Sequence, residues 1–270
     1  MQEELVSVIM PTYNAGHFLA DSIDSILNQT YRNVELLITD DHSNDAETLS
    51  ILKRYSEKDE RVKVMLLDNN KGPGYSRDQS IARAKGRYIA FCDSDDLWSP
   101  NKLELQIAFM QERQCVLSYT SYIMIDTKGR ERGIVIAPPT MTFDRLKRDN
   151  KIGCLTAVYD SKLLGKKYFM PFIRKRQDWG LFLTILRDSG SQAQALQQPL
   201  AYYRVNDNSV SSNKLGLVKY NIRIYEEVLG FPKWKATLYF FFVFMPSYLA
   251  KLLKREKDSI QYLHKKKHSK

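Results

Sequence analysis

The 270-residue sequence predicts an α/β fold, a mostly parallel sheet with helices on both faces, followed by a basic helical extension. Three observations point there. Short apolar, β-branched runs alternate with helical patterns of about 10–15 residues through the first hundred positions. Those runs carry few polar positions, as expected of strands covered on both faces. Charge is also divided: residues 1–100 hold 11 Lys and Arg against 17 Asp and Glu, whereas residues 233–270 hold 10 against 2.

Residues 5–10 are apolar, end at Pro11 and read as the first strand. A helix over residues 17–28 puts Phe18, Leu19, Ile23, Ile26 and Leu27 on one face. Residues 34–39 form a second strand and run into Asp40 and Asp41, and a helix through Leu49, Leu52 and Tyr55 follows. Residues 62–67 are a third strand, 75–85 a helix and 88–92 a fourth strand. Ser99 and Pro100 suit the N-cap and first position of a helix through Leu103, Leu105, Ile107 and Phe109. Residues 116–125 and 133–137, joined by a turn at 127–130, predict a hairpin, and residues 178–187 and 214–229 predict helices.

Composition narrows the class. Hydrophobic residues make up 43% and charged residues 27%, ordinary values for a packed chain and unlike disorder. Cys92, Cys115 and Cys154 are scattered, which suggests neither a disulfide framework nor a zinc site but a reducing compartment. The acidic start at Glu3 and Glu4 predicts no signal peptide, and no apolar run reaches ~18–20 residues, so no membrane span is expected.

In parallel sheets of this kind ligands bind beyond the carboxyl ends of the strands. Those ends are Pro11-Thr12-Tyr13-Asn14, Asp40-Asp41, Asp68-Asn69-Asn70 and Asp93-Ser94-Asp95-Asp96. Three of the four bear carboxylates. A D-x-D pair at a strand end can hold a hard divalent cation and leave positions for phosphate oxygens. A solvated acidic turn is the plainer alternative.

These segments, with Ser25–Tyr31 (SILNQTY) and Ala84–Asp96 (AKGRYIAFCDSDD), resemble the family 2 glycosyltransferases of the GT-A fold. The likeness covers residues ~5–110 strongly and continues to about 212. It implies a catalytic domain over 1–212, with a nucleotide-binding half (1–100) and an acceptor half (101–212), then an extension over 213–270. It implies that Thr12 and Tyr13 line the nucleotide pocket, that Asp41 accepts hydrogen bonds from the base with Asp40 beside it, and that Arg77 reaches the nucleotide. Asp93 and Ser94 would lie at the donor, Asp93 on the ribose, and Asp95 would ligate Mg²⁺ or Mn²⁺. His42 stands where the family commonly has Gly. Arg176-Gln177-Asp178-Trp179 matches the family's helix-opening acidic segment, making Asp178 the candidate base of an inverting transfer, or a helix N-cap, or both. In Tyr202-Tyr203-Arg204-Val205-Asn206, Arg204 or Asn206 would contact the donor phosphate, unless Arg204 serves a structural ion pair. The donor implied is a nucleotide sugar, best guessed as UDP-linked. The acceptor implied is a glycan or a lipid-linked sugar in bacterial surface polysaccharide assembly.

Residues 236–245 are almost wholly apolar and aromatic, interrupted by Pro246 and flanked by Lys233, Lys235, Lys251, Lys254, Arg255 and Lys257. This pattern suits an interfacial helix on an anionic leaflet, hence a cytoplasmic enzyme peripheral to the membrane. The alternative is a helix packed on the domain. If the tail is independent, a chain ending near Leu229 keeps its fold. Two other classes compete. A nucleotidyltransferase would show a Gly-rich phosphate loop after the first strand, which Pro11-Thr12-Tyr13-Asn14 is not. A nucleic-acid binder would leave the acidic strand ends without a purpose, and no such partner is expected.

Overall fold

The computed structural model describes residues 3–205 and 214–268. The N-terminal half is β1 (Val6–Thr12), α1 (Gly16–Leu27), β2 (Val34–Asp40), α2 (Ala46–Lys58), β3 (Val62–Leu66), α3 (Pro73–Arg83) and β4 (Tyr88–Phe91). It continues through β5 (Leu97–Trp98), α4 (Lys102–Arg113), β6 (Leu117–Ile125), β7 (Glu131–Val135), β8 (Thr140–Met141), α5 (Phe143–Arg148) and β9 (Val158–Asp160). The last elements are α6 (Gln177–Ser189), β10 (Ala193–Arg204), α7 (Lys214–Arg223), α8 (Lys233–Tyr239) and α9 (Met245–His268).

The strands form one sheet in the order β3-β2-β1-β4-β9-β6-β10-β5, with β7 on β6 and β8 on β10. The first four are parallel, as the βαβ alternation predicts. Beyond them the sheet is mixed: short β9 runs antiparallel to both β4 and β6, and β10 returns parallel to β6. Strand alternation divides the core between the two faces. Val6, Val8 and Met10 pack with Leu36, Ile38 and Ala90 under α1, α2 and α4. Ile9, Leu37, Ile89 and Phe91 pack on the other face with Trp179 and Phe182 of α6. Both faces are therefore closed, and the carboxyl edge of the parallel strands is left for ligand.

Three expectations change. Helix α4 starts at Lys102 after Asn101, two residues late, because the sheet holds Ser99 extended: its N–H donates to Leu200 O at 3.0 Å. Its buried face is then Lys102, Leu103, Gln106, Ile107 and Met110, with Leu105 and Phe109 at the margin. Second, Pro246 does not end the C-terminal helix. A π-turn over Phe240–Phe244 precedes it and joins α8 to α9 in one continuous helix from Lys233 to His268. The wider turn accommodates the clash and the lost N–H that a proline imposes on the preceding turn. Third, this 36-residue helix contains an 18-residue stretch of mean hydropathy 1.5, long and apolar enough to cross a membrane by length and composition.

One side of that helix belongs to the domain. Ala236, Phe240 and Phe244 are buried in the α6 core, with the Phe244 ring 5.6 Å from Trp179. Further along, Ser259 Oγ donates to Ile134 O (3.2 Å) and accepts from Ile134 N (3.1 Å), docking α9 on β7. Gly133 makes that approach possible, since a Cβ there would lie 2.3 Å from Ser259 Oγ. A chain ending near Leu229 would strip three buried side chains from the core around Trp179, which argues against the expectation that such a chain keeps its fold. The other side of the helix exposes Trp234, Leu238, Phe241, Phe242, Leu249, Leu253 and Ile260.

Candidate active site

The loops after β1 and β2 are stitched together by Asn14. Held at φ 46°, it accepts from the N–H groups of Asn44 (3.0 Å) and Asp45 (3.2 Å), and its own N–H donates to Ser43 Oγ (2.8 Å). Thr12 is buried and its Oγ1 meets no partner among the described residues, whereas Tyr13 is half exposed. His42 adopts φ 68°, so the turn keeps a left-handed residue without glycine. Asp40 is buried and accepts from Ser43 N at 2.8 Å. Asp41, also buried, accepts from Lys71 N and Gly72 N, each at 2.8 Å. Gly72 at φ 90° lets two successive amides face one carboxylate. Each oxygen keeps a further lone pair for a ligand donor.

The loop after β4 is pinned by its backbone. Ser94 O accepts from Ser22 Oγ of α1 (2.9 Å), Asp95 O from Arg204 Nε (2.9 Å), and the Asp96 carboxylate from Arg204 N (2.9 Å). Asp96 is fully buried, while Asp93, Ser94 and Asp95 remain partly exposed. Arg204 is 4% exposed, with its guanidinium 4.2 Å over the Phe18 ring. It braces this loop from behind, as the structural alternative for Arg204 expects. Asn206 lies outside the described residues.

Burial, reinforced by Asp93, pushes the Asp95 carboxyl up to about 6. Concentrated, poorly solvated negative charge of this kind fits a divalent cation, which would relieve it. Among the described residues no three His, Cys, Asp or Glu side chains form a ready-made cage. A cation at Asp95 and Asp93 would complete its shell from ligand oxygens and water, a common arrangement for Mg²⁺.

Arg77 on α3 ties the two halves together. Buried, it ion-pairs with Asp93 (2.5 Å) and reaches Gln177 Oε1 at 3.5 Å, a hundred residues away in sequence. Burial opposes its charge, but Asp93 and, more weakly, Asp178 hold its pKa above the ordinary arginine value. Asp178 lies in the first turn of α6, where the helix dipole favours an anion. It is not the N-cap: Arg176 precedes the helix at φ 69°. Asp178 Oδ2 instead accepts from Asn150 Nδ2 at 3.0 Å. The backbone of that segment is held from the C-terminal helix, where Lys251 Nζ donates to Asp149 Oδ1 (2.7 Å) and Asn150 O (2.8 Å).

With this geometry in place, comparison with known proteins is direct. The sequence profile described as Glycosyl transferase family 2 matches residues 7–170. The chain belongs to that family. It is 41% identical to TuaG of Bacillus subtilis (strain 168) over 86% of this chain and 92% of the relative, whose name assigns it to teichuronic acid biosynthesis. It is 40% identical, over 81% of this chain and 84% of the relative, to WfgD of Escherichia coli, named as a UDP-Glc:alpha-D-GlcNAc-diphosphoundecaprenol beta-1,3-glucosyltransferase. The fold is that of S. aureus TarS 1-349 in complex with UDP, with a TM-score of 0.63 at 22% identity over 86% of this chain and 68% of that one. The GT-A fold expected from the motifs is the fold found.

Within this glycosyltransferase, Thr12, Tyr13, Asp40 and Asp41 gather at adjoining loops, Asp93, Ser94 and Asp95 share the next, and Arg77 connects that loop with the Gln177–Asp178 turn. Asn150 was missed. Its only sequence signal is position, and its partner Asp178 is 28 residues distant. Gln177 stood in the quoted motif without a role, and the structure gives it one, as the link to Arg77.

Proposed function

We propose that this glycosyltransferase moves a sugar from a UDP-sugar to a hydroxyl of a lipid-linked acceptor, with inversion, in bacterial surface polysaccharide assembly. The observation carrying this is the Asp93–Arg77–Gln177 link, which brings the acidic strand-end loop and Asp178 together from opposite ends of the catalytic region. The names of WfgD and TuaG support the lipid-linked acceptor and the polysaccharide product.

Thr12 and Tyr13 border the nucleotide, and Asp41 offers lone pairs to its base. Asp93, oriented by Arg77, accepts from the ribose hydroxyls. Mg²⁺ or Mn²⁺ held at Asp95 would offset charge on the departing diphosphate. Asp178 takes the proton from the acceptor hydroxyl, whose oxygen bonds to the anomeric carbon as the bond from that carbon to the diphosphate breaks. Asn150 fixes the carboxylate rotamer by donating to Oδ2, which leaves Oδ1 for the proton. The exposed apolar stripe and basic flanks of the C-terminal helix hold the enzyme against the cytoplasmic leaflet, lying along it rather than through it, because Phe240, Phe244 and Ser259 are committed to the domain.

The test is a panel of UDP- and GDP-sugars incubated with the full chain, Mn²⁺ or Mg²⁺ and a synthetic GlcNAc-diphospho-lipid. Expected is release of free UDP with a product of inverted anomeric configuration. Release of pyrophosphate from a nucleoside triphosphate, with no binding of any nucleotide sugar, would overturn the reading in favour of nucleotidyl transfer.

A further inference from the structure

An open groove of about 390 Å³ lies between α5 and the C-terminal helix, away from the strand-end loops. Its lining divides by chemistry. Arg145, Arg148 and Lys151 supply three cations from the domain, and Phe242, Val243 and Pro246 supply an apolar wall from the helix. Arg148 and Phe242 are exposed. The nearby carboxylates are already matched: Asp144 pairs with Lys147 at 2.8 Å and Asp149 with Lys251 at 2.7 Å. Neither Arg148 nor Lys151 makes an ion pair among the described residues. The groove thus offers an excess of positive charge beside apolar surface, on a helix that also exposes Trp234, Leu238 and Phe241.

We infer that this groove seats the phosphate-bearing head of a lipid: a phosphate or diphosphate against Arg148 and Lys151, with its hydrocarbon chain leaving over Phe242 and Val243. Two properties favour this occupant over a soluble anion or a protein. A free phosphate has no use for the apolar wall, and a peptide partner would not explain the exposed apolar and aromatic stripe that the same helix carries. Arginine donates in a planar fork that matches phosphate oxygens, and lysine adds a compact charge. The groove also communicates with the chemistry. Arg148 and Lys151 flank Asp149 and Asn150, and Asn150 donates to Asp178. A lipid diphosphate held there would present the sugar attached to it toward the candidate base. The inference rests on the lipid-linked acceptor proposed above and assigns its anionic group a place.

The experiment uses the full chain and the double variant Arg148→Gln/Lys151→Gln, with Phe242→Ser as a second probe of the apolar wall. Three vesicle compositions are compared by sedimentation: phosphatidylcholine alone, phosphatidylcholine with phosphatidylglycerol, and phosphatidylcholine with polyprenyl diphosphate at the same total negative charge. Inorganic pyrophosphate serves as a soluble competitor, and UDP binding is measured on every protein. Wild type should prefer the polyprenyl diphosphate vesicles. The double variant should bind them roughly 30-fold more weakly, the loss of two surface cations at ~1 kcal/mol each. UDP affinity should stay unchanged, and Phe242→Ser should weaken vesicle binding while pyrophosphate remains a poor competitor. Equal binding to phosphatidylglycerol and polyprenyl diphosphate vesicles, or a double variant that binds like wild type, overturns the groove assignment. Displacement by pyrophosphate with equal avidity would make the groove a site for free phosphate and overturn it too. Failure of wild type to bind UDP would instead remove the glycosyl-transfer reading on which the groove depends, so the two failures are distinct.

Discussion

At the strand ends of the N-terminal half, Asp40, Asp41 and Asp96 are buried and each is met by backbone N–H groups, whereas the outer side of the C-terminal helix leaves Trp234, Phe241, Phe242 and Leu253 exposed. The acidic region holds these three carboxylates with its own amides and leaves Asp93, Ser94 and Asp95 part-exposed in its loop, enough to meet a small ligand. The helix satisfies one side on the domain and leaves the other to a surface the chain does not contain. On the proposed function, the first region would serve recognition of a donor and the second recognition of a membrane.

If the acidic region is complete except for its ligand, single changes there should cost activity and not fold. Asp95→Asn should bring transfer to background, a loss of about 10³-fold or more for several kcal/mol of lost charge stabilisation, with Tm unchanged. A chelator should do the same to wild type, and full activity in chelator would remove the metal from the account. Asp178→Asn should lower turnover by about 10²–10⁴-fold and leave UDP affinity intact. A variant within a few-fold of wild type excludes Asp178 as the base.

The helix should behave in the opposite way. A chain ending at Leu229 loses Ala236, Phe240 and Phe244 from the core around Trp179. Large buried aromatics cost ~3–5 kcal/mol each when removed, on the order of the whole stability of a domain. The expected result is a chain that aggregates or unfolds at room temperature by circular dichroism. A soluble, UDP-binding fragment would show that the helix is an appendage and that the contrast between the regions is false.

The smallest effect concerns buried cations. Lys102 is fully buried behind the acidic loop, donating to Gln106 Oε1 at 2.8 Å and lying 4.1 Å over the Trp98 ring. Burial pulls it from 10.5 down to about 7. Between those values the unfolded chain holds a proton that the folded chain lacks, so this group makes stability rise with pH from about 7 to about 10.5 and contributes no slope below. Denaturant titrations of wild type and Lys102→Met across that window should differ in slope, with the variant flatter. Identical slopes would mean that Lys102 keeps its charge inside the fold.

The parallel half was legible because strand alternation and helical spacing are local, and because four motifs recur in fixed order. What was not legible depends on partners far apart in the chain. For Arg204 a phosphate contact and a structural role were equally open in the sequence, and its contacts with Asp95 O, Asp96 and Phe18 join residues about 110 and 190 positions apart. Gln177 gains its role only by meeting Arg77, and Asn150 only by meeting Asp178. Short β5, β8 and β9 carry too few residues for any period to show. Pro246 looked like an end because a proline normally is one, and the compensating π-turn has no residue signature of its own.

That π-turn has a consequence for chain length. In an ordinary helix, removing one residue rotates everything beyond it by about 100° and would turn Ser259 away from β7. A π-turn already holds one residue more than an α-turn needs. Deleting a single exposed residue between Phe240 and Phe244, such as Phe241, can close the turn to regular α geometry and leave the downstream faces in phase. The same deletion at Leu253 has no such reserve. The helix thus contains one place where a single deletion is structurally silent, at the end of the part that packs on α6 and before the part that docks on β7.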